Sequence, residues 1–421
     1  MSRETRLTTL ENGLKIVSQF VPGLETATVG VWVDAGSRHE TARQNGISHM
    51  LEHMAFKGTA TRSAERIAQE IEDVGGYLNA YTSREHTAYY ARVLKDDVPL
   101  AIDLIADILQ RSTFVADEIE RERGVIVQEI GQAVDTPDEL VFDYLQECAY
   151  PAQPIGRNIL GTVDNVRRFA QGDLTDYMAA HYHAPSMVLT AAGAVEHEAL
   201  VALAQAHFTS LNAARPRDVH AARYAGGETR LQEDYEQAHI TLALPGVTYE
   251  DPDYMVAKVF VNALGGGMSS RLFQEVREKR GLCYSIYAYS NSYADTGIVG
   301  FYAGTGEDDA DQILPVSIAQ IEAMARGCSE EETARARAQL RAGILMGLES
   351  CASVAESMAI QTLLFGQPVP VAERLARIDA IDAAAVRRFA ERVLRAGHPT
   401  LAALGPITKL PPLEALAGTF G

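Results

Sequence analysis

Apolar and polar residues alternate along the first half of the chain in patterns that predict a mixture of strands and helices. Strands are indicated by runs of β-branched residues bounded by glycine or proline, LKIVSQF and ATVGVWVDAG. Helices are indicated by apolar residues every three or four positions, in GISHMLEHMAFKG, SAERIAQEIEDVG and DDVPLAIDLIADIL. The same reasoning predicts a strand pair at YLNAYT and HTAYYARVL, long helices over residues 115–134 and 137–149, two shorter helices within 163–182, and a strand at SMVLTAAG.

The second half of the chain repeats this order of elements. It begins with a strand at HITLALPG, continues with AYSNSYADTGIVGFYAGT and ends with helices within residues 330–395. Strands and helices come in mixed runs and not in strict βαβ alternation. We therefore expect an α+β fold in which helices pack on a mostly antiparallel sheet.

The chain is predicted to be a distant duplication. When the sequence is compared with itself at a shift of 214 residues, identical residues coincide: Arg121 with Arg335, Arg123 with Arg337, Gln153 with Gln367, Pro154 with Pro368, and Pro185 with Pro399. The helical period of FVADEIERERGVIVQEI also resembles that of CSEEETARARAQLRAGI. We expect two homologous domains of about 200 residues. They would cover residues 1–212 and 229–421, with a polar linker over 213–228.

Charge and composition narrow the class of partner. With 37 Lys and Arg against 56 Asp and Glu, the net charge of −19 argues against nucleic acid or an anionic membrane surface as the main partner. The four cysteines lie far apart without a CxxC pair, which fits a reducing compartment. The first residues lack the apolar stretch of a secretory signal, and no apolar run is long enough to span a membrane. We expect a cytoplasmic, most simply bacterial, protein.

The segment His49-Met50-Leu51-Glu52-His53 carries the clearest chemical signal. On a helix, His49 and His53 lie one turn apart on the same face, so both imidazoles can bind one metal ion. A metal lowers the pKa of a water bound to it, and Glu52 can reach that water without being a ligand. This H-x-x-E-H order is the reverse of the commoner zinc-protease motif. Roughly one chain of this kind in fifty would contain it by chance, so the motif alone favours a metal site without establishing one.

A catalytic zinc site needs a third protein ligand. The predicted helix ERERGVIVQEI offers Glu122 and Glu129, which are seven residues apart and therefore lie on one helical face. From the residues alone, either could instead be an ordinary glutamate on a solvated helix.

Four segments carry a family resemblance: GISHMLEHMAFKGT, GGYLNAYTSREHTAYYA, ERERGVIVQEI and GGGMSSRLFQEVREKRGLCYS. Over essentially its whole length the chain resembles the pitrilysin/insulinase (inverzincin) metallopeptidases, most of all the processing-peptidase branch. The resemblance implies one Zn²⁺ per chain, held by His49, His53 and Glu129, since the family's third ligand lies 76 residues after the second histidine. It also implies that Glu52 is the general base, and that Glu122 orients a ligand or tunes the water.

The second repeat is expected to be catalytically inactive. At the shift of 214, Glu129 falls on Gly343 and Glu122 falls on Ala336, and no histidine lies between His239 and His398. The resemblance implies that this half contributes substrate contacts through two catalytic-site residues. Tyr284 would bond the developing oxyanion or the carbonyl near it, and Arg277 would hold peptide backbone. Without the resemblance, Arg277 would be taken for a structural cation.

Other substrate-binding residues follow from the resemblance alone. Asn79 and Ala80 match an edge strand that pairs with substrate backbone, although an exposed strand without a special role is the alternative. Phe56 matches an aromatic residue that lines the pocket beyond the scissile bond, and it could equally be ordinary core. Glu139 and Asp143 match an acidic pair that holds an arginine upstream of the cut, and a solvated acidic face is the alternative.

The sequence therefore predicts a zinc-dependent metalloendopeptidase that hydrolyses extended peptides or precursor segments, with a preference for basic residues near the cut. The alternative is a non-catalytic scaffold or partner subunit of a processing-peptidase-like complex. We expect basic peptides as substrates, and neither nucleic acid nor membrane as a partner. We expect a homodimer, and a heterodimer with an inactive paralogue is the alternative.

Overall fold

The computed structural model describes residues 4–213 and 220–415. Within these ranges the strands are β1 (Thr5–Thr9), β2 (Lys15–Phe20), β3 (Thr26–Val33), β4 (Tyr77–Thr82), β5 (Thr87–Leu94), β6 (Met187–Gly193), β7 (Gly227–Gln232), β8 (Ala238–Pro245), β9 (Ser285–Ser292), β10 (Gly297–Thr305) and β11 (Thr400–Gly405).

The α-helices in the same ranges are α1 (Ile47–Met54), α2 (Ala64–Asp73), α3 (Val98–Arg111), α4 (Ala116–Val134), α5 (Pro137–Ala149), α6 (Val163–Arg168), α7 (Gln171–His181), α8 (His197–His207), α9 (Tyr254–Gly265), α10 (Ala310–Arg326), α11 (Glu330–Gly347), α12 (Cys351–Phe365), α13 (Val371–Asp379) and α14 (Ala383–Arg395). A π-helical segment covers Phe273–Glu278. In the described part of the chain, no single helix is long and apolar enough to cross a membrane; α11 and α12 pass that test only as a pair, bent by 106°.

The strands form two sheets whose strand orders correspond position by position. The first sheet has the order β1-β2-β6-β3-β5-β4, and the second has the order β7-β11-β8-β10-β9. Apart from the extra edge strand β1, each strand of the first sheet has a counterpart at the same place in the second. One neighbouring pair in each sheet is parallel, β2 with β6 and β7 with β11, and the other pairs are antiparallel. The prediction of two homologous α+β domains with mostly antiparallel sheets is confirmed.

The two repeats exchange a helix. Unit 1 combines the described parts of residues 1–131, 157–219 and 346–369, and unit 2 combines those of residues 132–156, 220–345 and 370–421. Helix α5, from the first repeat, therefore belongs to unit 2, and helix α12, from the second repeat, belongs to unit 1. The predicted domain limits of 1–212 and 229–421 follow chain order, whereas the compact units do not.

The predicted linker over 213–228 is only partly described. Its residues 214–219 lie outside the described residues. Its last two residues are already paired, because β7 begins at Gly227 and runs parallel to β11.

In unit 1 the sheet lies between two apolar layers. Alternate residues of β3 point to opposite faces, so Val31 enters the large core with α1 and α3, while Trp32 enters the smaller cluster on the other face. That smaller cluster is closed by α12, which contributes Val354 and Met358. Each such buried apolar side chain contributes roughly 1.5–3 kcal/mol, so the first sheet depends on a helix from the far end of the chain.

Unit 2 has the same layers with the helix roles exchanged. One face of its sheet packs on the core of α9, α10 and α14. The other face is covered by α5, whose Val141 and Leu145 are buried against Ala243 and Leu404. Each exchanged helix follows a long helix of its own repeat after a short connection, α5 after α4 and α12 after α11.

Candidate metal centre

The helix that carries the H-x-x-E-H motif begins without a capping side chain of its own. Its N-cap is Gly46, with φ of 99°, and a Cβ there would lie 2.7 Å from the carbonyl oxygen of Leu160, so only glycine fits. The buried Glu40 takes the place of a cap: Oε2 accepts from the Gly46 backbone N–H at 2.9 Å, and Oε1 accepts from that of Ser48 at 2.8 Å. The start of α1 at Ile47, two residues before His49, is thereby fixed from both sides.

His49, His53 and Glu129 meet at one point. One possible ligand atom from each of the three lies within 4.8 Å of the others. Glu129 Oε2, on α4, is 3.6 Å from His49 Nε2 and 3.4 Å from His53 Nε2. Ligands bound to zinc at about 2.0–2.1 Å in tetrahedral geometry would be about 3.4 Å apart, so the distances from Glu129 to the two imidazoles match those expected around a zinc ion.

The ring of His53 is held from behind by α4. Its Nδ1 lies 3.0 Å from Glu122 Oε2, and Lys57 Nζ lies 2.6 Å from the other carboxylate oxygen. With Nδ1–H donating to Glu122, the Nε2 lone pair of His53 is left to face Glu129. Burial raises the pKa of Glu122. The hydrogen bonds from Lys57 and His53 lower it by more than burial raises it, so the pKa of Glu122 lies below its usual range.

Glu52 lies beside this cluster and is not one of the three converging groups. Burial raises the pKa of its carboxyl, and the negative charge of Glu129 acts in the same direction, while hydrogen bonds with Thr82 and the charge of His53 oppose the rise. Thr82 Oγ1 also donates to the carbonyl oxygen of Ser48 at 3.3 Å, which ties the end of β4 to α1. A carboxyl with a raised pKa next to a metal site suits a group that takes and returns a proton.

The predicted edge strand is the outermost strand of its sheet. β4 pairs with β5 on one side and terminates the strand order. The backbone N–H of Ala80 donates to the side-chain oxygen of Asn79 at 2.9 Å, so this amide is not used in the β4–β5 ladder. Phe56, in the turn after α1, is partly buried against the core of unit 1.

The remaining predicted site residues belong to unit 2. Arg277 lies at the end of the π-helical segment, with its guanidinium 5.4 Å from the ring centre of Tyr284, which is 76% exposed. Glu139 and Asp143 lie one turn apart on α5, and Glu139 is exposed. The structure brings Arg277 and Tyr284 together, and the roles of all four at the metal site stay predictions.

The described residues of the second repeat contain no comparable group. In α11 the position of Glu122 is taken by the buried Ala336 and that of Glu129 by Gly343. Among the described residues, the cluster around His49 is the one group of three or more histidine, cysteine or acidic side chains placed to hold a metal ion.

Comparison with known proteins assigns the chain to a family. Residues 15–163 match the model described as insulinase (peptidase family M16), and residues 168–340 match the model described as the peptidase M16 inactive domain. The beta subunit of mitochondrial-processing peptidase from Rattus norvegicus is 41% identical over 430 residues, which cover 99% of this chain and 88% of that protein. The chain belongs to peptidase family M16. The predicted resemblance to this family and to its processing-peptidase branch is confirmed.

The chain is also similar to a bacterial protein and to two solved structures. An uncharacterised zinc protease of Streptomyces coelicolor is 39% identical over 412 residues, covering 96% of this chain and 90% of that protein. A protease from Helicobacter pylori has a TM-score of 0.89 at 21% identity, covering 96% of this chain and 100% of that one. A chain of complex III2 from Candida albicans has a TM-score of 0.87 at 24% identity, covering 98% and 99%. At these identities the two structures show the fold alone.

Three residues around the M16 motif were missed by sequence reasoning. Lys57 had a usable signal, because it follows His53 by four residues and so falls on the same side of a helical turn. Glu40 and Thr82 had none, since their hydrogen bonds join α1 to residues outside the helix that no sequence spacing specifies.

Proposed function

We propose that this chain is a zinc-dependent metalloendopeptidase that hydrolyses extended peptides or precursor segments. The observation that carries the proposal is the convergence of His49, His53 and Glu129, whose possible ligand atoms lie within 4.8 Å of one another, with Glu52 beside them as a separate carboxylate. Membership of a peptidase family and a 39% identical zinc protease support the same conclusion.

His49, His53 and Glu129 would hold the ion, one Zn²⁺ per chain, and leave one tetrahedral position open. A zinc ion at this place supplies a Lewis acid that activates water and polarises a carbonyl. The chain's own part is to fix the donor atoms beforehand: Glu40 sets the start of α1, and Glu122 sets the ring of His53.

Glu52 would act as the general base and then as the general acid. Its carboxylate would accept a proton from the attacking water and later pass it to the nitrogen of the departing amine. The pKa of the Glu52 carboxyl is raised towards neutral pH, which makes both proton transfers easier than for an exposed glutamate.

We propose that the substrate is bound as an additional strand on β4. β4 lies at the edge of the sheet, and the backbone N–H of Ala80 bonds a side chain and not β5. Both features provide backbone groups for such pairing. A substrate carbonyl would replace the Asn79 side-chain oxygen as the acceptor at Ala80. Phe56 would line the pocket beyond the scissile bond.

Unit 2 would complete the site with the exposed Tyr284 and with Arg277, which would stabilise the polarised carbonyl and hold peptide backbone. The acidic pair Glu139 and Asp143 would favour arginine or lysine upstream of the cut. Cleavage at equal rates of peptides with and without an upstream arginine would contradict this preference.

We propose that the chain works as a dimer. The rat relative is named as a subunit, so this chain could pair with a second copy or with a different chain. Light scattering of the purified chain separates the cases: a mass of two chains supports the homodimer, and an inactive monomer that gains activity with a partner supports the heterodimer.

The function is tested by comparing the wild type with Glu52→Gln on a quenched arginine-containing peptide library. Zinc should be present at one ion per chain in both proteins, and cleavage by the variant should fall about 10²- to 10⁴-fold. Glu331→Gln, an exposed position on α11, is the matched control and should behave as wild type. Wild-type protein that neither binds zinc nor cleaves would contradict the proposal.

A further inference from the structure

Lys57 is linked to the metal cluster through one residue, Glu122, which contacts both Lys57 and His53. It lies in the turn after α1, where its backbone N–H donates to the carbonyl oxygen of Met54 at 3.2 Å. Its ammonium nitrogen is 2.6 Å from Glu122 Oε1, while His53 Nδ1 is 3.0 Å from Glu122 Oε2. Each oxygen of this one carboxylate therefore has its own donor from the α1 segment.

The contact is screened from solvent. The side chain of Glu122 is 8% exposed and that of Lys57 is 30% exposed. Because a buried polar group is costly without a partner, the contact with Lys57 favours the one position of Glu122 in which Oε1 meets the ammonium group and Oε2 meets the imidazole.

The position of Glu122 determines how His53 is presented. It accepts the Nδ1–H, which leaves Nε2 as the lone-pair nitrogen, 3.4 Å from Glu129 Oε2. If Lys57 were uncharged, Oε1 of Glu122 would lose its ionic partner. The carboxylate could then rotate, and His53 would no longer be held in one tautomer and one orientation.

We propose that Lys57 is a positioning residue for the metal site, which holds Glu122 in the orientation that fixes His53 and thereby raises the affinity for zinc. It acts through Glu122 and contacts neither the ion nor the peptide. The inference rests on the proposed function, because it requires that zinc binds to His49, His53 and Glu129. Partners of metal-bound histidines typically change metal affinity about 10- to 100-fold.

The test is the zinc dissociation constant, measured by competition with a chromophoric chelator on the full chain. Lys57→Met removes the charge at similar length and should weaken zinc binding about 10- to 100-fold. Lys57→Arg keeps the charge and should restore most of the affinity. Lys279→Met, which removes an exposed ion pair with Glu275 in unit 2, is the control and should bind zinc as wild type does.

A double-mutant cycle with Glu122→Gln distinguishes positioning from general destabilisation. If Lys57 acts through Glu122, adding Lys57→Met to Glu122→Gln should change zinc affinity little further. Independent, additive losses would overturn the inference, as would wild-type affinity in Lys57→Met. If Lys57→Met does not fold, Lys57→Gln takes its place in the same cycle.

The two possible failures are distinguishable. Wild-type protein without stoichiometric zinc would remove the proposed function together with this inference. Wild-type protein that binds zinc and is matched by Lys57→Met or its glutamine substitute would overturn the inference alone.

Discussion

Helices α4 and α11 occupy equivalent places in the two repeats and differ where the metal centre is built. On α4, Glu122 contacts His53 at Nδ1 and Glu129 faces the same ring at Nε2. At the equivalent positions α11 has Ala336, which is buried, and Gly343. The helix itself has been kept while its acidic groups are present in one repeat only.

In contrast to the two glutamates, an arginine is present at the same position of both helices and makes the same kind of contact in each repeat. Arg123 donates to two backbone carbonyls at the C-terminal end of α6, and Arg337 donates to two at the C-terminal end of α13. These carbonyls belong to Val166 and Phe169 in the first repeat and to Asp379 and Ile381 in the second. Helix ends leave carbonyls without intrahelical partners, so both arginines satisfy the same need of the fold. Residues shared by the repeats serve the fold, and residues found in one repeat are the candidates for chemistry.

The largest expected effect comes from making α4 resemble α11 at one residue. Glu129→Gly, the counterpart of Gly343, removes the third ligand. We expect loss of stoichiometric zinc and a fall in peptide cleavage of about 10³-fold or more. Metal analysis and a fluorogenic peptide assay measure both. Gly343→Ala, at the equivalent place on α11, is the control, and a similar loss in that variant would mean that the second repeat also supports the metal.

The exchanged helices provide the next comparison. Met358 on α12 is buried in unit 1, and Leu145 on α5 is buried in unit 2. Truncation of either to alanine should cost about 2–5 kcal/mol through lost burial and the cavity left behind. Hydrogen exchange should report faster opening of β3 and β6 for Met358→Ala, and of β8 and β11 for Leu145→Ala. If hydrogen exchange became faster only within the repeat that supplies the mutated helix, the assignment of α12 to unit 1 and of α5 to unit 2 would be contradicted.

The helix exchange is also where sequence reasoning stopped. The shift of 214 residues aligned α5 with α12 correctly, yet nothing in either sequence states which sheet each helix covers. That choice depends on long-range packing. Strand β1 was missed because TRLTT is polar and mostly exposed, and α8 was not singled out. By contrast, YLNAYT was predicted to its exact ends, Tyr77–Thr82, since turn residues bound it on both sides.

The candidate site was predictable to the extent that it rests on local spacing. The i, i+4 relation of His49 and His53 and the seven-residue spacing of Glu122 and Glu129 translate directly into helical faces. The meeting of α1 and α4 does not follow from spacing, and it was obtained from the family resemblance. Contacts that fix the groups, such as Glu40 at the start of α1, require the folded chain.

The helix starts of the two units should respond differently to pH. Burial outweighs the hydrogen bonds from Ser48, Gly46 and Asn45 and raises the pKa of Glu40 to about 7. The folded chain therefore holds this proton more tightly than the unfolded chain. Protonation of Glu40 therefore contributes about 3 kcal/mol to the free energy of unfolding below about pH 4.5. This contribution is lost as the pH rises to about 7.

Near the start of α9, Asp251 has the opposite shift. Its hydrogen bond from Arg392 lowers its pKa, so its contribution is present above the usual range and is lost only in acid. Hydrogen exchange of the zinc-free protein between pH 5 and 8 should show that the stability of the α1 region, measured relative to Glu40→Gln, declines as the pH rises; the lowered pKa of His49 contributes in the opposite direction and equally in both proteins. Asp251→Asn should leave the slope over that range unchanged, and a slope insensitive to Glu40→Gln would contradict the assignment.

The smallest expected effect tests the shared arginines. Arg123→Met and Arg337→Met each remove hydrogen bonds from a charged donor to two carbonyls, at an expected cost of about 1–2 kcal/mol in the unit that contains the arginine. Opening free energies from hydrogen exchange, read in α7 for the first variant and in α14 for the second, measure the loss. Zinc content should be retained in both. Because the two arginines meet the same need, their costs should be similar; a loss confined to Arg123→Met, accompanied by loss of zinc, would place that arginine with the metal centre and not with the common fold.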